Sequence, residues 1–146
     1  MKHRYIEIVS AFLILVFAYT GISKLIGLQQ FKAIISLSPI ISWGANIISL
    51  GLPVIEIGIA ALLFFPHLRK AGLKASFVMM SVFTLYIGYM KFFDPDHSCS
   101  CGGVLESMTW SGHLAFNIIL TTITGIALWL SKQNIIAISR ESRKPV

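Results

Sequence analysis

Four long apolar runs constrain the fold of this chain more than any other feature of its sequence. They cover Ile6–Ile26, Gly44–Phe65, Ala71–Phe93 and Ser111–Leu130. Each run is long enough to cross the roughly 30 Å hydrocarbon core of a lipid bilayer as an α-helix. Charged residues make up only 12% of the chain, whereas a soluble domain has about a quarter. The sequence therefore predicts an all-α, integral membrane four-helix bundle, with one domain over residues 1–130 and a basic tail over 131–146.

The basic residues are distributed unevenly among the segments that flank these runs. We number the segments that flank the four runs from one to five along the chain. Of the 12 Lys and Arg residues, nine lie in or next to segments one, three and five, and three lie in or next to segments two and four. The nine are Lys2, Arg4, Arg69, Lys70, Lys74, Lys132, Arg140, Arg143 and Lys144, and the three are Lys24, Lys32 and Lys91. Because basic residues concentrate on the cytoplasmic side of membrane proteins, both termini and the tail are predicted inside a bacterial inner membrane. The net charge of +6 then reports topology and does not indicate nucleic acid binding.

The first run follows Lys2 and Arg4, as the core of a signal peptide would. It is, however, longer than the roughly 7–15 residues typical of such a core. We therefore expect this segment to remain as the first membrane span.

The segment after the first run has a pattern of its own. Phe31, Ile34, Ile35 and Ser38 recur at helical spacing, with polar residues between them. This pattern predicts a short helix in the outer headgroup region that ends before Pro39. An apolar lead-in to the second span is the alternative.

The only two cysteines, Cys99 and Cys101, lie between the third and fourth runs and precede Gly102 and Gly103. The predicted orientation puts this segment outside the membrane. Disulfide-bonded cysteines have Cα atoms about 5.5–6 Å apart, whereas an extended i, i+2 pair is separated by nearly 7 Å. The loop must therefore bend, and a strained disulfide is readily reduced. The spacing thus favours thiol–disulfide exchange over a structural bridge. Two reduced thiols without a role are the alternative.

A metal site is the competing interpretation of the same loop. Zn²⁺ or Cu⁺ would accept a His and Cys ligand set drawn from His97, Cys99, Cys101 and His113. Zinc motifs, however, place about two to four residues between paired cysteines, so we rank a metal site second.

Ionisable residues at bilayer depth are costly, and two stand out. Lys24 lies near the outer end of the first span, and Glu56 lies halfway through the second. The two could form a pair that only fixes helix register. Alternatively, Lys24 and His113 lower the pKa of a cysteine thiol and move its proton.

Other polar and small residues are interpreted as contacts within the bundle. Asn117 follows His113 by one helical turn, in a polar stripe that continues to Thr121 and Thr124. The stretch from Gly58 to Leu62 is a weak candidate for close helix approach. An interfacial belt is predicted for Tyr86, Tyr89, Phe92, Phe93 and Trp110. A quinone could stack among these aromatic residues, although nothing in the spacing requires it.

Two helix motifs resemble those of the DoxX-like superfamily of four-helix membrane proteins. They are Gly21-Ile22-Ser23-Lys24-Leu25 and Pro53-Val54-Ile55-Glu56. Cys99-Ser100-Cys101-Gly102 and the stretch from Trp110 to Asn117 narrow the resemblance to the MauE-like branch, which is associated with methylamine utilisation. The resemblance covers about residues 1–130.

The resemblance implies a redox-associated role in maturing the disulfide-rich small subunit of methylamine dehydrogenase, beside an extracytoplasmic thioredoxin-like partner. It implies that Cys99 and Cys101 are the redox pair and that Lys24 and Glu56 are the characteristic buried charges. Gly102 departs from the family pattern, which tends to have Phe there. A non-catalytic assembly or anchoring subunit is the second hypothesis, and the client and the direction of electron flow stay open.

Overall fold

The protein is described by a computed structural model that covers residues 2–38, 41–93 and 110–141, with side chains for 3–38, 41–93 and 111–132. Within these ranges the backbone forms five α-helices, and a short 3₁₀ turn, Ser42–Gly44, precedes the third. The helices are α1 (Lys2–Ile26), α2 (Leu28–Leu37), α3 (Ala45–Phe64), α4 (Arg69–Phe93) and α5 (Trp110–Glu141).

Four of these helices are long and apolar enough to cross a membrane. In the described residues the candidate spans are His3–Ile26, Ser42–Phe64, Arg69–Phe93 and Ser111–Lys132. Their ends agree with the four apolar runs to within three residues, which confirms the predicted fold class. Large apolar side chains cover the outside of the bundle, for example Leu15 (68% exposed) and Leu85 (74% exposed), as expected of helices that face lipid.

The spans pack as an antiparallel bundle in which α1 lies along α3 and α4 lies along α5. Completely buried side chains at the centre include Leu13, Phe17, Leu63 and Leu73. Helices in lipid associate through close packing, because lipid tails are as apolar as the helices themselves. Shape complementarity at these positions therefore holds the bundle together.

Two glycines mark the closest approaches between helices. A Cβ atom at Gly21 would lie 3.1 Å from the Pro53 carbonyl oxygen, and one at Gly72 would lie 2.9 Å from the Leu63 backbone nitrogen. Gly58, the glycine that the sequence suggested for this role, is exposed and would have nothing within 4 Å of a Cβ atom. The suggested close approach is therefore not at Gly58, which lies on the outward face of α3, whereas Ala60 of the same suggested stretch is buried.

The short helix predicted after the first span is α2. It buries Phe31 and Ile35 in a small apolar cluster with Ala45 of α3. The helix ends at Leu37, and Ser38 is extended, with φ −73° and ψ 129°. A proline at the next position disfavours helical backbone, which explains the end of α2 at this point.

At the other end of the chain, α5 continues without a break past residue 130 as far as Glu141. The first part of the basic tail is therefore a direct extension of the fourth span.

Candidate functional site

Lys24 and Glu56 form an ion pair inside the bundle. Lys24 lies in the last turn of α1 and Glu56 in the middle of α3, and their side chains are 6% and 1% exposed. Lys24 Nζ lies 2.5 Å from Glu56 Oε1. Gly21, one turn before Lys24, makes this contact achievable because α1 lies directly on α3 there, with the missing Cβ position 3.3 Å from Glu56 Cβ. The pairing suggested by the sequence forms, and its role remains a prediction.

The second carboxylate oxygen of Glu56 is buried without a hydrogen-bond partner among the described residues. Thr20 also approaches this carboxylate. Its single hydroxyl hydrogen, however, is used within α1, because Oγ1 donates to the Val16 carbonyl oxygen at 2.9 Å. Glu56 Oε2 therefore retains an unused acceptor position in the interior of the bundle.

Two aromatic rings enclose the Lys24 ammonium group. Its Nζ atom lies 5.7 Å from the ring centroid of Phe31 in α2 and 5.5 Å from that of Phe83 in α4. Both distances are within the roughly 6 Å range of cation–π attraction. Lys24 is thus held by α3, α2 and α4 together, which stops its long side chain from extending to the membrane surface.

The polar stripe of α5 faces the same region. His113 and Asn117 are 5% and 4% exposed, and the Lys24 ammonium group acts electrostatically on the His113 ring. Asn117 Nδ2 donates to the His113 carbonyl oxygen at 3.0 Å. Thr121 donates to the Asn117 carbonyl oxygen at 2.7 Å and lies 3.3 Å from Thr84 Oγ1 of α4. Asn117 and Thr121 therefore act within α5 and at its contact with α4.

Lys24, Glu56, His113 and Asn117 line one cavity of about 240 Å³. Its polar lining residues are Thr20, Lys24, Glu56, Tyr86, His113 and Asn117. Its apolar walls are formed by Val16, Phe31, Ile34, Ile35, Ile41, Ile48, Leu52, Met80, Val82, Phe83, Ile87, Phe116 and Leu120. The arrangement is that of a ligand pocket, mostly apolar with a few convergent polar groups.

Tyr86, one of the residues predicted for an interfacial belt, lines this cavity. It is half-buried, and its hydroxyl donates to Ser38 Oγ at 3.1 Å, which joins α4 to the end of α2. Tyr86 therefore has contacts inside the bundle, and its place in an interfacial belt stays a prediction. Tyr89 is 43% exposed and stacks on Phe93 with 4.8 Å between ring centroids. The helical spacing of the two tyrosines does not distinguish these outcomes, because they differ by a small rotation of α4.

Cys99, Cys101 and His97 lie outside the described residues. The described part of the chain holds no group of three or more His, Cys, Asp or Glu side chains that could bind a metal. The metal alternative depends on residues outside that part and stays a prediction.

The segment with the cysteines nevertheless starts and ends at the cavity end of the bundle. α4 ends at Phe93, and Tyr86 near this end contacts Ser38 of the α2 region. α5 begins at Trp110, and His113 in its first turn lines the cavity. We call this end, where α1 ends and α2 lies, the α2 end.

The order of motifs along the chain can now be compared with known proteins. A family model described as methylamine utilisation protein MauE matches residues 2–130. The chain belongs to the MauE family. The match includes three spans, all but the last two residues of the fourth and the segment with the cysteines, and it confirms the resemblance drawn from the sequence motifs. No curated protein and no solved structure gives a significant match.

MauE membership makes this a multi-pass membrane protein of a group associated with methylamine utilisation. Sequence reasoning identified the two buried charges and the polar stripe of α5. It missed the contribution of α2, whose Phe31 covers Lys24. The only signal in the sequence was that Phe31 and Ile35 lie one helical turn apart, shortly after Lys24.

Proposed function

We propose that this protein is a membrane-bound thiol–disulfide component whose Cys99 and Cys101 exchange with an extracytoplasmic thioredoxin-like protein or a disulfide-containing client. One observation carries the proposal. The Lys24–Glu56 ion pair and the imidazole of His113 line one cavity at the end of the bundle from which the cysteine segment leaves. A thiolate, not a thiol, attacks a disulfide, and an imidazole near the cysteines is a suitable acceptor for the thiol proton.

Chain length keeps the cysteines near this end. Cys99 follows the last residue of α4 by six positions, and Cys101 precedes the first residue of α5 by nine. Six residues extend to about 20 Å at most, whatever path they take. The dithiol therefore works close to the α2 end, within reach of a partner docked on that side.

Electrons and protons balance in the exchange between the cysteine pair and its client. When the Cys99–Cys101 disulfide oxidises a client dithiol, two electrons and two protons pass to the pair, and a mixed disulfide forms in between. In the opposite direction the dithiol reduces a client disulfide. The nine-to-three distribution of basic residues supports an orientation with both termini in the cytoplasm and the cysteines on the oxidising side of the inner membrane.

Replacement of single cysteines tests the proposal. In intact cells, acid quenching and thiol alkylation before and after reductant should reveal a reversible disulfide in the wild-type protein. Cys99→Ser and Cys101→Ser should each abolish it and block client oxidation, while Ser100→Ala between them should change neither. Cys101→Ser should also trap the partner on Cys99 as a mixed disulfide. A membrane-impermeant thiol reagent should label the pair from outside.

Normal client disulfides in both cysteine variants would refute the exchange model. They would favour a non-catalytic assembly or anchoring subunit, for which the buried Lys24–Glu56 pair would provide helix register. In that case Lys24→Leu or Glu56→Leu would disrupt co-purification with partner proteins, and the cysteines would be dispensable. A stoichiometric metal in protein purified without chelator would instead favour the site formed by His97, Cys99, Cys101 and His113.

A further inference from the structure

The cavity at the α2 end contains a specific hydrogen-bonding arrangement that its own residues do not complete. Glu56 Oε2 is an acceptor without a partner among the described residues. An ammonium group has three N–H donors, and the bond from Lys24 to Glu56 Oε1 uses one of them. A free acceptor beside a donor with remaining capacity matches a hydroxyl group, which both donates and accepts.

The size and walls of the cavity restrict which hydroxyl compound fits. Its volume of about 240 Å³ exceeds the roughly 150 Å³ of an engineered cavity that binds benzene. It therefore has room for at least one substituted ring. Phe31, Phe83 and Phe116 are among the wall residues, and aromatic pairs attract beyond the effect of buried area alone. An acyl chain would fill the walls but leave Glu56 Oε2 without a hydrogen bond.

The cavity also reaches the lipid-facing surface. Val82 of α4 is one of its lining residues and is 54% exposed. Ile34 and Ile41 on the α2 side also line the cavity and are only half-buried. Because this opening is apolar and lies within a membrane span, a ligand enters from the bilayer.

We propose that this cavity binds the ring of a membrane-soluble quinol, whose hydroxyl group donates to Glu56 Oε2 and accepts a hydrogen bond from Lys24 Nζ. The ring lies among the aromatic walls, and the tail leaves past Val82 into the lipid. A quinone carbonyl can only accept, so the site prefers the reduced form.

A redox use of this site rests on the proposed function. A dithiol and a quinone give a disulfide and a quinol, with two electrons and two protons transferred, so a quinone is a sufficient oxidant for the cysteine pair. Ring binding itself does not depend on the cysteines. The Cys99→Ser/Cys101→Ser double variant should therefore bind quinol as the wild-type protein does, so the two proposals can fail separately.

Calorimetric titration of the purified full-length protein in detergent micelles tests the site. The probes are decylhydroquinone, decylquinone and decylbenzene, which share one tail and differ in their ring oxygens. We expect decylhydroquinone to bind at least tenfold more tightly than decylbenzene, with decylquinone between them. Equal affinity for the three probes would show only partition into micelles and would overturn the proposal.

Two variants locate the binding. Val82→Trp narrows the opening and should weaken decylhydroquinone binding at least tenfold, whereas Val78→Trp, one turn earlier on the same exposed face, should not. Glu56→Gln places an amide donor beside the ligand and should shift the preference towards decylquinone. If Val82→Trp and Val78→Trp bind alike, the cavity is not the site, and this conclusion holds even if Glu56→Gln fails to fold.

Discussion

The ion pair between Lys24 and Glu56 makes a strong prediction about stability. Both side chains are almost completely buried, and their charged atoms are 2.5 Å apart. At that distance the attraction is roughly 6–7 kcal/mol for an effective dielectric constant of about 20. Removing each ion from water costs several kcal/mol, which offsets most of this attraction. The intact pair therefore contributes little net stability, while either ion alone is strongly unfavourable.

We expect Lys24→Met to destabilise the protein by about 3–5 kcal/mol, because it leaves the Glu56 carboxylate unpaired in the bundle. Glu56→Gln should cost less, since it removes the ion pair that holds Lys24 against α3, and the long side chain of Lys24, in the last turn of α1, can then extend to the interface. The double variant should lie within about 1 kcal/mol of the wild-type protein, because neither charge remains. The double-mutant cycle then gives a coupling energy of at least about 2 kcal/mol.

Unfolding titrations in mixed micelles, followed by tryptophan fluorescence, measure these differences. Lys32→Met is the matched control, since Lys32 is an exposed lysine on the neighbouring helix α2. It should change the free energy of unfolding by less than about 0.5 kcal/mol. Single variants that resemble this control, or a double variant whose loss equals the sum of the single losses, would refute the reasoning.

Four further substitutions test the packing with the same unfolding assay. Gly21→Ala should cost about 1–3 kcal/mol, because its Cβ would meet backbone of α3, whereas Gly58→Ala should be neutral or stabilise by up to about 1 kcal/mol. Ser76→Ala should leave stability unchanged or raise it, since the buried Oγ atom has no partner among the described residues, and a marked loss would show a missing contact. Tyr86→Phe removes the hydrogen bond to Ser38 and should cost about 0.5–1.5 kcal/mol, with faster amide exchange in α2; unchanged exchange would show that this bond does not hold α2.

Properties that depend on local composition were predictable from this sequence. Span positions follow from apolar length alone, because a bilayer requires about 20 residues per helix. The pairing of Lys24 with Glu56 was also predictable. Glu56 is the acidic residue near the middle of a predicted span, and an unpaired charge there is unfavourable. The polar stripe of α5 followed from its spacing, and His113 and Asn117 are indeed buried.

Properties that depend on the relative rotation of helices were not predictable. Gly21, Gly58 and Gly72 look alike in sequence, and only the packing shows that the first and third lie against a neighbouring backbone. Tyr86 and Tyr89 both suit an interfacial belt, but only Tyr86 turns inwards to line the cavity. The cavity itself is formed by all five described helices, so no single segment carries its signature.

The arrangement around Lys24 separates what the fold requires from what a function requires. A lysine in the last turn of a span reaches the membrane surface when nothing prevents it. Here Gly21 brings it against α3, and Phe31 covers it from α2. Well-packed apolar residues of similar volume are often at least as stabilising as a buried ion pair, so stability alone does not require these charges. A Lys24→Met/Glu56→Gln variant that folds normally but no longer binds decylhydroquinone would therefore assign the pair to ligand recognition. If this variant retained that binding, the charges would have no part in the site, and their contribution would be restricted to helix register.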